Sequence, residues 1–255
     1  MSTGLLTLLC AGLGLLLGSF LKVVIYRIPR TLLDDHSTAL TLWWPPSHCP
    51  ACQHRLSPYE NIPLLSFVLQ RGRCRHCCTR IAWRYPVVEL LTAVLFAAQA
   101  AYCGWGLPLL AVLLLTSWLL PLLWIDLETL LLPDALTLSL LWLGLLFNLI
   151  TGLIPVPAAV WGAAGGYAVL WGLAHAYRLL RGQEGMGLGD AKLLAALGAW
   201  LGWQALPQVV LLACALTIAG VALRRALWKI PLRQAAPFGP GLAVAGLLLA
   251  LALFT

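Results

Sequence analysis

The sequence predicts an all-α polytopic membrane protein with about eight transmembrane helices and one small polar domain. Three observations carry this reading. The 255 residues are 61% hydrophobic and only 10% charged, against about 45–50% apolar and about 25% charged in soluble domains. Apolar runs such as 107–125 and 135–153 approach the ~20 residues that a spanning helix needs, and they lack the alternation of a transmembrane β-barrel. The polar residues are gathered into one long segment and three short loops rather than spread along the chain. A soluble globule of this composition would not cover its core, and the same numbers exclude disorder.

The spans read in order as 4–25, 86–103, 107–125, 135–153, 155–177, 190–206, 207–223 and 239–254. The first is not expected to be a cleaved signal peptide: no basic residue precedes its apolar stretch, while Lys22, Arg27 and Arg30 follow it. Leu9-Cys10 is a poor lipoprotein cleavage site because no small residue precedes the cysteine. The sixth span is short for a bilayer crossing, which predicts tilt or partial burial. Eight spans place all 16 Lys and Arg on one face. By the positive-inside rule that face is cytoplasmic, so both termini lie outside. The expected placement is that of a multi-pass membrane protein with this basic face in the cytoplasm. The net charge of +7 is accordingly an orientation signal for a lipid bilayer, and no nucleic-acid partner is expected. The division is then 1–25 as first transmembrane helix, 26–85 as cytoplasmic domain and 86–255 as a seven-helix membrane core.

Segment 26–85 contains Cys49-Pro-Ala-Cys52 and Cys74-Arg-His-Cys77. Two Cys-x-x-Cys knuckles at this separation predict a tetrahedral Cys₄ zinc site, because each knuckle aims two thiolates at one ion. The polar domain is therefore a small cytoplasmic zinc-binding domain. A segment of this size has little core, so metal would supply much of its folding energy. Disulfides are the competing reading and are disfavoured in a reducing cytoplasm. Cys77 keeps the two-residue spacing; Cys78, His48, His54 and His76 are alternative ligands. Cys10, Cys103 and Cys214 read as small buried hydrophobes.

The nine Asp and Glu are few. Asp126, Glu128 and Asp134 flank the link between spans three and four, and Glu184 and Asp190 lead into span six. Ionisable groups at such depth mark function by default. Asp126 ends an apolar helix, where the dipole disfavours an anion, so capping does not explain it. Asp190 begins a helix after Gly187-Leu188-Gly189, which permits close backbone approach. Two carboxylates brought together do not both ionise easily, and the pair can act as base and acid on water. This is the electronic requirement of an aspartic protease. Asp134, following Pro133, reads as a helix N-cap. Lys192 does not face Asp190, since i and i+2 diverge on a helix. Gly162 and Gly166 are spaced for close helix packing.

Gly187-x-Gly-Asp190, with Asp126-x₅-Leu132-Pro-Asp134, resembles the type IV prepilin peptidases. Gly18-Ser-Phe-Leu, Val24-Ile-Tyr-Arg-Ile-Pro29, Cys49-Pro-x-Cys, Glu60-Asn-Ile-Pro63, Arg71-Gly-Arg-Cys-Arg-x-Cys77, Arg84-Tyr-Pro-x-x-Glu89, Glu184-Gly-Met-Gly and Pro237-Phe-Gly-Pro240 resemble further family blocks in the same order. The chain departs at Lys22, where Asn is usual, and at Cys78, where a small or polar residue is. The resemblance implies a polytopic aspartic endopeptidase with Asp126 and Asp190 as its catalytic pair. It implies removal of the basic leader from type IV prepilins or type II secretion pseudopilins at the cytoplasmic membrane edge. It also implies N-methylation of the new N-terminus with S-adenosylmethionine. Glu128 and Glu184 are candidates to meet the leader's positive charge. The alternatives are another Gly-x-Gly-Asp intramembrane protease without methyl transfer, a proton-relaying transporter, and a thiol oxidoreductase using the cysteine pairs. The transporter leaves the cysteines unused, and the oxidoreductase would want them on the oxidising side.

Overall fold

A computed structural model of the chain describes residues 2–33, 41–49, 51–182, 187–228 and 236–254. Helices account for nearly all regular structure: α1 (Thr3–Leu33), α2 (Leu65–Leu69), α3 (Arg84–Cys103), α4 (Leu107–Thr129), α5 (Asp134–Thr151), α6 (Val156–Arg181), α7 (Leu188–Leu201), α8 (Leu206–Trp228) and α9 (Gly239–Phe254). Among the described residues there is no strand, only two isolated bridges. Apart from the short α2, the eight helices coincide with the eight expected spans. Six of them, α1, α3, α4, α5, α6 and α8, are long and apolar enough to cross a membrane. The chain is a multi-pass membrane protein.

The chain forms two compact units, 1–109 and 110–255. In the first, α1 and α3 run antiparallel. A methyl group on Gly18 would lie 2.8 Å from Glu89 Cα, so the backbones meet directly. Helix α1 continues to Leu33, well past its apolar stretch. Buried Arg27 anchors the extension by donating to the carbonyls of Thr41 (2.7 Å) and Pro45 (2.5 Å).

The second unit is organised around α7. Its 14 residues reach only about 21 Å at 1.5 Å per residue, short of the ~30 Å hydrocarbon core. Residue 191 and every residue from 193 to 201 is buried, so protein rather than lipid surrounds this helix. The expected partial burial of the sixth span is here nearly complete. On one side the backbones of α6 and α7 touch: Cβ atoms at Gly162 or Gly198 would strike the opposite glycine's carbonyl, and one at Gly166 would lie 2.8 Å from Leu194 O. On another side α5 runs parallel to α7. Fully buried Trp200 donates Nε1–H to Leu140 O (3.0 Å) and stacks on Phe147. Asn148 Nδ2 caps the C-terminal carbonyls of Ala199 (2.9 Å) and Trp200 (3.3 Å). These carbonyls would otherwise be buried without partners. Helix α9 closes a further side, with Gly246 against Leu197.

The α6–α7 contact is open to a direct test. Gly198→Val is expected to destabilise the protein by about 2 kcal/mol or more, because overpacking a close contact costs about 1–3. Gly165→Ala, where an added methyl meets nothing within 4 Å, should be neutral or stabilising by up to ~1 kcal/mol through helix propensity. Thermal unfolding in detergent distinguishes the two.

Candidate active site and metal centre

Within residues 110–255, the end of α4 and the starts of α5, α7 and α9 converge. Helix α4 stops where Leu130 takes a left-handed backbone (φ 56°), and the chain runs extended through Pro133 into α5. Asp126, on the last turns of α4, is 5% exposed. Its Oδ2 accepts the Gly239 N–H at 3.0 Å, from the first residue of α9. A Cβ at residue 239 would lie 2.6 Å from that oxygen, so only glycine brings the donor this close. Asp190 stands in the first turn of α7, half-buried. The Asp126 carboxylate is near enough to interact with it electrostatically. Gly189 seats the start of α7 against Leu132, whose Cβ would lie 2.8 Å from a Cβ there. The structure thus brings together the two aspartates singled out in the sequence.

One acidic residue, Asp134, has a different role from that expected. Asp134 does not cap α5: Pro133 is the N-cap and no side-chain cap bond forms. Its carboxylate instead binds Lys192 Nζ at 2.6 and 2.7 Å, 58 positions away on α7. Glu128 lies exposed on α4, where it accepts from Trp124 Nε1 at 3.1 Å. Glu184 falls outside the described residues. The sequence marks Gly239 only within Pro237-Phe-Gly-Pro240, and a glycine between Phe238 and Pro240 at a helix start is the local signal of its role as a backbone donor.

In the first unit the Sγ atoms of Cys49, Cys52, Cys74 and Cys77 all lie within 4.8 Å of one another. Cys49 and Cys77 are 3.7 Å apart, and Cys52 and Cys74 4.0 Å. Four thiolates at the usual Zn–S length in a tetrahedron stand about 3.8 Å apart, so the donor set fits zinc. The two knuckles share one turn. Cys49 N–H donates to His54 O and Gln53 N–H to Cys49 O; Cys74 N–H donates to Thr79 O and Cys78 N–H to Cys74 O. Gln53 and Cys78 both adopt left-handed backbones, φ 58° and 56°. Cys78 is therefore the counterpart of Gln53, exposed and outside the sulfur cluster. His54 and His76 stack on each other, centroids 3.4 Å apart, and also lie outside the cluster. The Thr79 side chain and backbone beside Cys77 pull its thiol down to about 6. Glu60 accepts from Ser57 N–H (2.8 Å) and Oγ (3.0 Å). The Ser57 backbone bond holds its carboxyl below the ordinary value. Of the remaining cysteines, Cys10 is buried as expected, but Cys103 is only partly buried and Cys214 is exposed on α8.

The fold and these two centres define a multi-pass helical membrane protein with an aspartate pair at helix ends and a four-cysteine cluster. The bacterial peptidase A24 N-terminal domain model matches residues 13–103, and the type IV leader peptidase family model matches 113–223. Relatives named prepilin leader peptidase/N-methyltransferase are similar over most of the chain. That of Aeromonas hydrophila is 50% identical, covering 91% of this chain and 86% of its own. That of Pectobacterium carotovorum subsp. carotovorum is 47% identical, covering 92% and 88%. That of Neisseria gonorrhoeae is 44% identical, covering 93% and 87%. No solved structure matches the chain. The chain belongs to the type IV leader peptidase family.

The closeness of Gly239 to Asp126 sets it apart from the neighbouring exposed ion pair. Gly239→Ala should cost about 1–3 kcal/mol as an overpacked contact. Asp134→Asn, which weakens a pair whose carboxylate is 58% exposed, should cost under about 1 kcal/mol. Denaturant or thermal unfolding of both variants in one detergent checks the order.

Proposed function

We infer that this protein is a membrane aspartic endopeptidase that removes the leader from type IV prepilins or type II secretion pseudopilins and N-methylates the new N-terminal residue. The observation that carries the peptidase reading is the meeting of Asp126 and Asp190. They are distant in sequence, yet they join at helix ends inside the segment that matches the leader peptidase family. Relatives carrying both activities in their names cover more than nine-tenths of this chain, which favours the bifunctional enzyme over a protease alone. The clustering of basic residues around the loops between spans supports a cytoplasmic orientation for both centres in the inner membrane.

Hydrolysis needs little beyond the two carboxylates. One takes a proton from water as its oxygen adds to the scissile carbonyl carbon. The other gives its proton to the carbonyl oxygen, forming a diol. The carbon–nitrogen bond then breaks as the first hands its acquired proton to the leaving amine and the second takes a proton back from a diol hydroxyl. The Gly239 N–H fixes the orientation of Asp126, leaving its other oxygen for this work. Methyl transfer uses S-adenosylmethionine as methyl donor. The pilin amine attacks the methyl carbon, the carbon–sulfur bond breaks with its electrons on sulfur, and the positive charge passes to the methylated amine. In the 26–85 domain, Cys49, Cys52, Cys74 and Cys77 would hold one structural zinc and fix the two knuckles together.

Asp126→Asn and Asp190→Asn should each abolish leader cleavage of a prepilin while still methylating a pilin whose leader has already been removed. Mass spectrometry of the pilin N-terminus reads both. Near wild-type cleavage by either folded variant overturns the catalytic assignment. Purified protein should contain about one zinc per chain. A Cys49→Ser/Cys52→Ser double variant should lose the metal, and Cys78→Ser should keep it. Elemental analysis decides; unchanged zinc in the double variant would refute the site.

A further inference from the structure

A cavity of about 350 Å³ lies within residues 1–109, in the size range of small-ligand sites. Its walls come from α1 through Lys22 and Tyr26, from α3 through Glu89, and from the knuckle domain through Asn61, Phe67, Cys49 and Cys74. Resting on the methyltransferase reading above, we propose that this cavity is the binding site for S-adenosylmethionine.

The charge arrangement is the first argument. Lys22 Nζ and Glu89 Oε1 form an ion pair at 2.7 Å, with side chains 18% and 3% exposed. The other Glu89 oxygen accepts Leu64 N–H at 2.8 Å. A buried pair is weak evidence for stability, since desolvation offsets much of its attraction. A cation and an anion side by side on one cavity wall instead match a zwitterion. The methionyl end of the donor is one, with its ammonium suited to Glu89 and its carboxylate to Lys22. The adjacent sulfonium adds a second cation for the same glutamate.

The second argument is the apolar half. Phe67 is backed by Trp83, ring centroids 5.1 Å apart, which holds a ring face where adenine would stack. The amide of Asn61 offers both a donor and an acceptor to a base edge. Thirdly, a cysteine from each knuckle lines the cavity, so the metal-held loops form one of its walls. The zinc would then act on methylation by keeping that wall in place.

S-adenosylhomocysteine binding to the purified, zinc-loaded protein tests the site. Glu89→Gln and Phe67→Ala should each weaken it ~tenfold or more, with zinc content and melting temperature reporting that the variants are folded. Ultraviolet crosslinking of labelled S-adenosylmethionine to the unaltered protein should mark peptides bearing cavity residues, whatever the fate of the variants. Wild-type affinity in both folded variants, or a label outside residues 1–109, overturns the cavity assignment and leaves the methyltransferase reading standing. Failure of the unaltered protein both to bind S-adenosylhomocysteine and to methylate a trimmed pilin overturns the reading itself.

Discussion

The second unit depends on placing one short helix almost entirely inside protein, all but its first turn. Helix α7 is too short for the hydrocarbon layer, and it carries Asp190, the proposed catalytic partner of Asp126, in its first turn. Buried on all sides, it must satisfy its own ends and fit its neighbours without lipid to fill gaps. Asn148 answers the C-terminal carbonyls, and Gly162 and Gly198 let α6 approach backbone to backbone. Trp200 fills the space beside Gly144 and ties its indole N–H to α5. A buried helix of alanines, leucines and glycines leaves Asp190 at a fixed depth, because no part of it is free to slide toward a lipid interface.

The aspartates then meet through their helix ends. Asp126 is delivered by the C-terminal end of α4, where a dipole alone would disfavour it. The N-terminal end of α9 compensates by presenting the Gly239 N–H to its Oδ2. Lys192 is drawn to Asp134 rather than to Asp190. Lys192 is thereby held away from Asp190, as the divergence of i and i+2 positions on a helix requires.

The helices were legible because hydropathy records contact with lipid or core over whole turns, and the clustering of the four cysteines because their spacing encodes a turn. Gly162 and Gly166 were legible as packing residues for the same local reason. Hydropathy failed at the end of α1, which continues to Leu33 on the strength of Arg27 bonds to backbone carbonyls that no periodicity announces. Asp134 was misread as a cap because its partner sits on another helix, and sequence spacing tests only same-helix pairs. Gly239 and the Lys22–Glu89 pair share that difficulty: both are contacts between distant segments. Cys78 beside Cys77 was ambiguous by spacing alone. It is resolved by backbone conformation, since the left-handed position it occupies is the one Gln53 holds in the other knuckle.

The distribution of acidic residues follows from what the two reactions require. Peptide hydrolysis needs one group to accept a proton and another to give one, and on the proposed assignment Asp126 and Asp190, near enough to interact electrostatically, are those groups. Methylation of an amine needs neither. A free N-terminus has a pKa of about 7.7–8.0, so a useful fraction is already neutral near pH 7, and the product carries its charge without losing a proton in the step. Such a site has only to desolvate the amine and align it with the methyl group. In the first unit Glu60 serves the Ser57 turn, and Glu89 stands on the cavity wall beside Lys22 and Leu64. Among the described residues of that unit, neither glutamate is paired with another carboxylate. What that unit holds is a cavity lined by one cysteine from each knuckle, and on the proposed reading alignment without acid–base chemistry needs no more than such a shaped site.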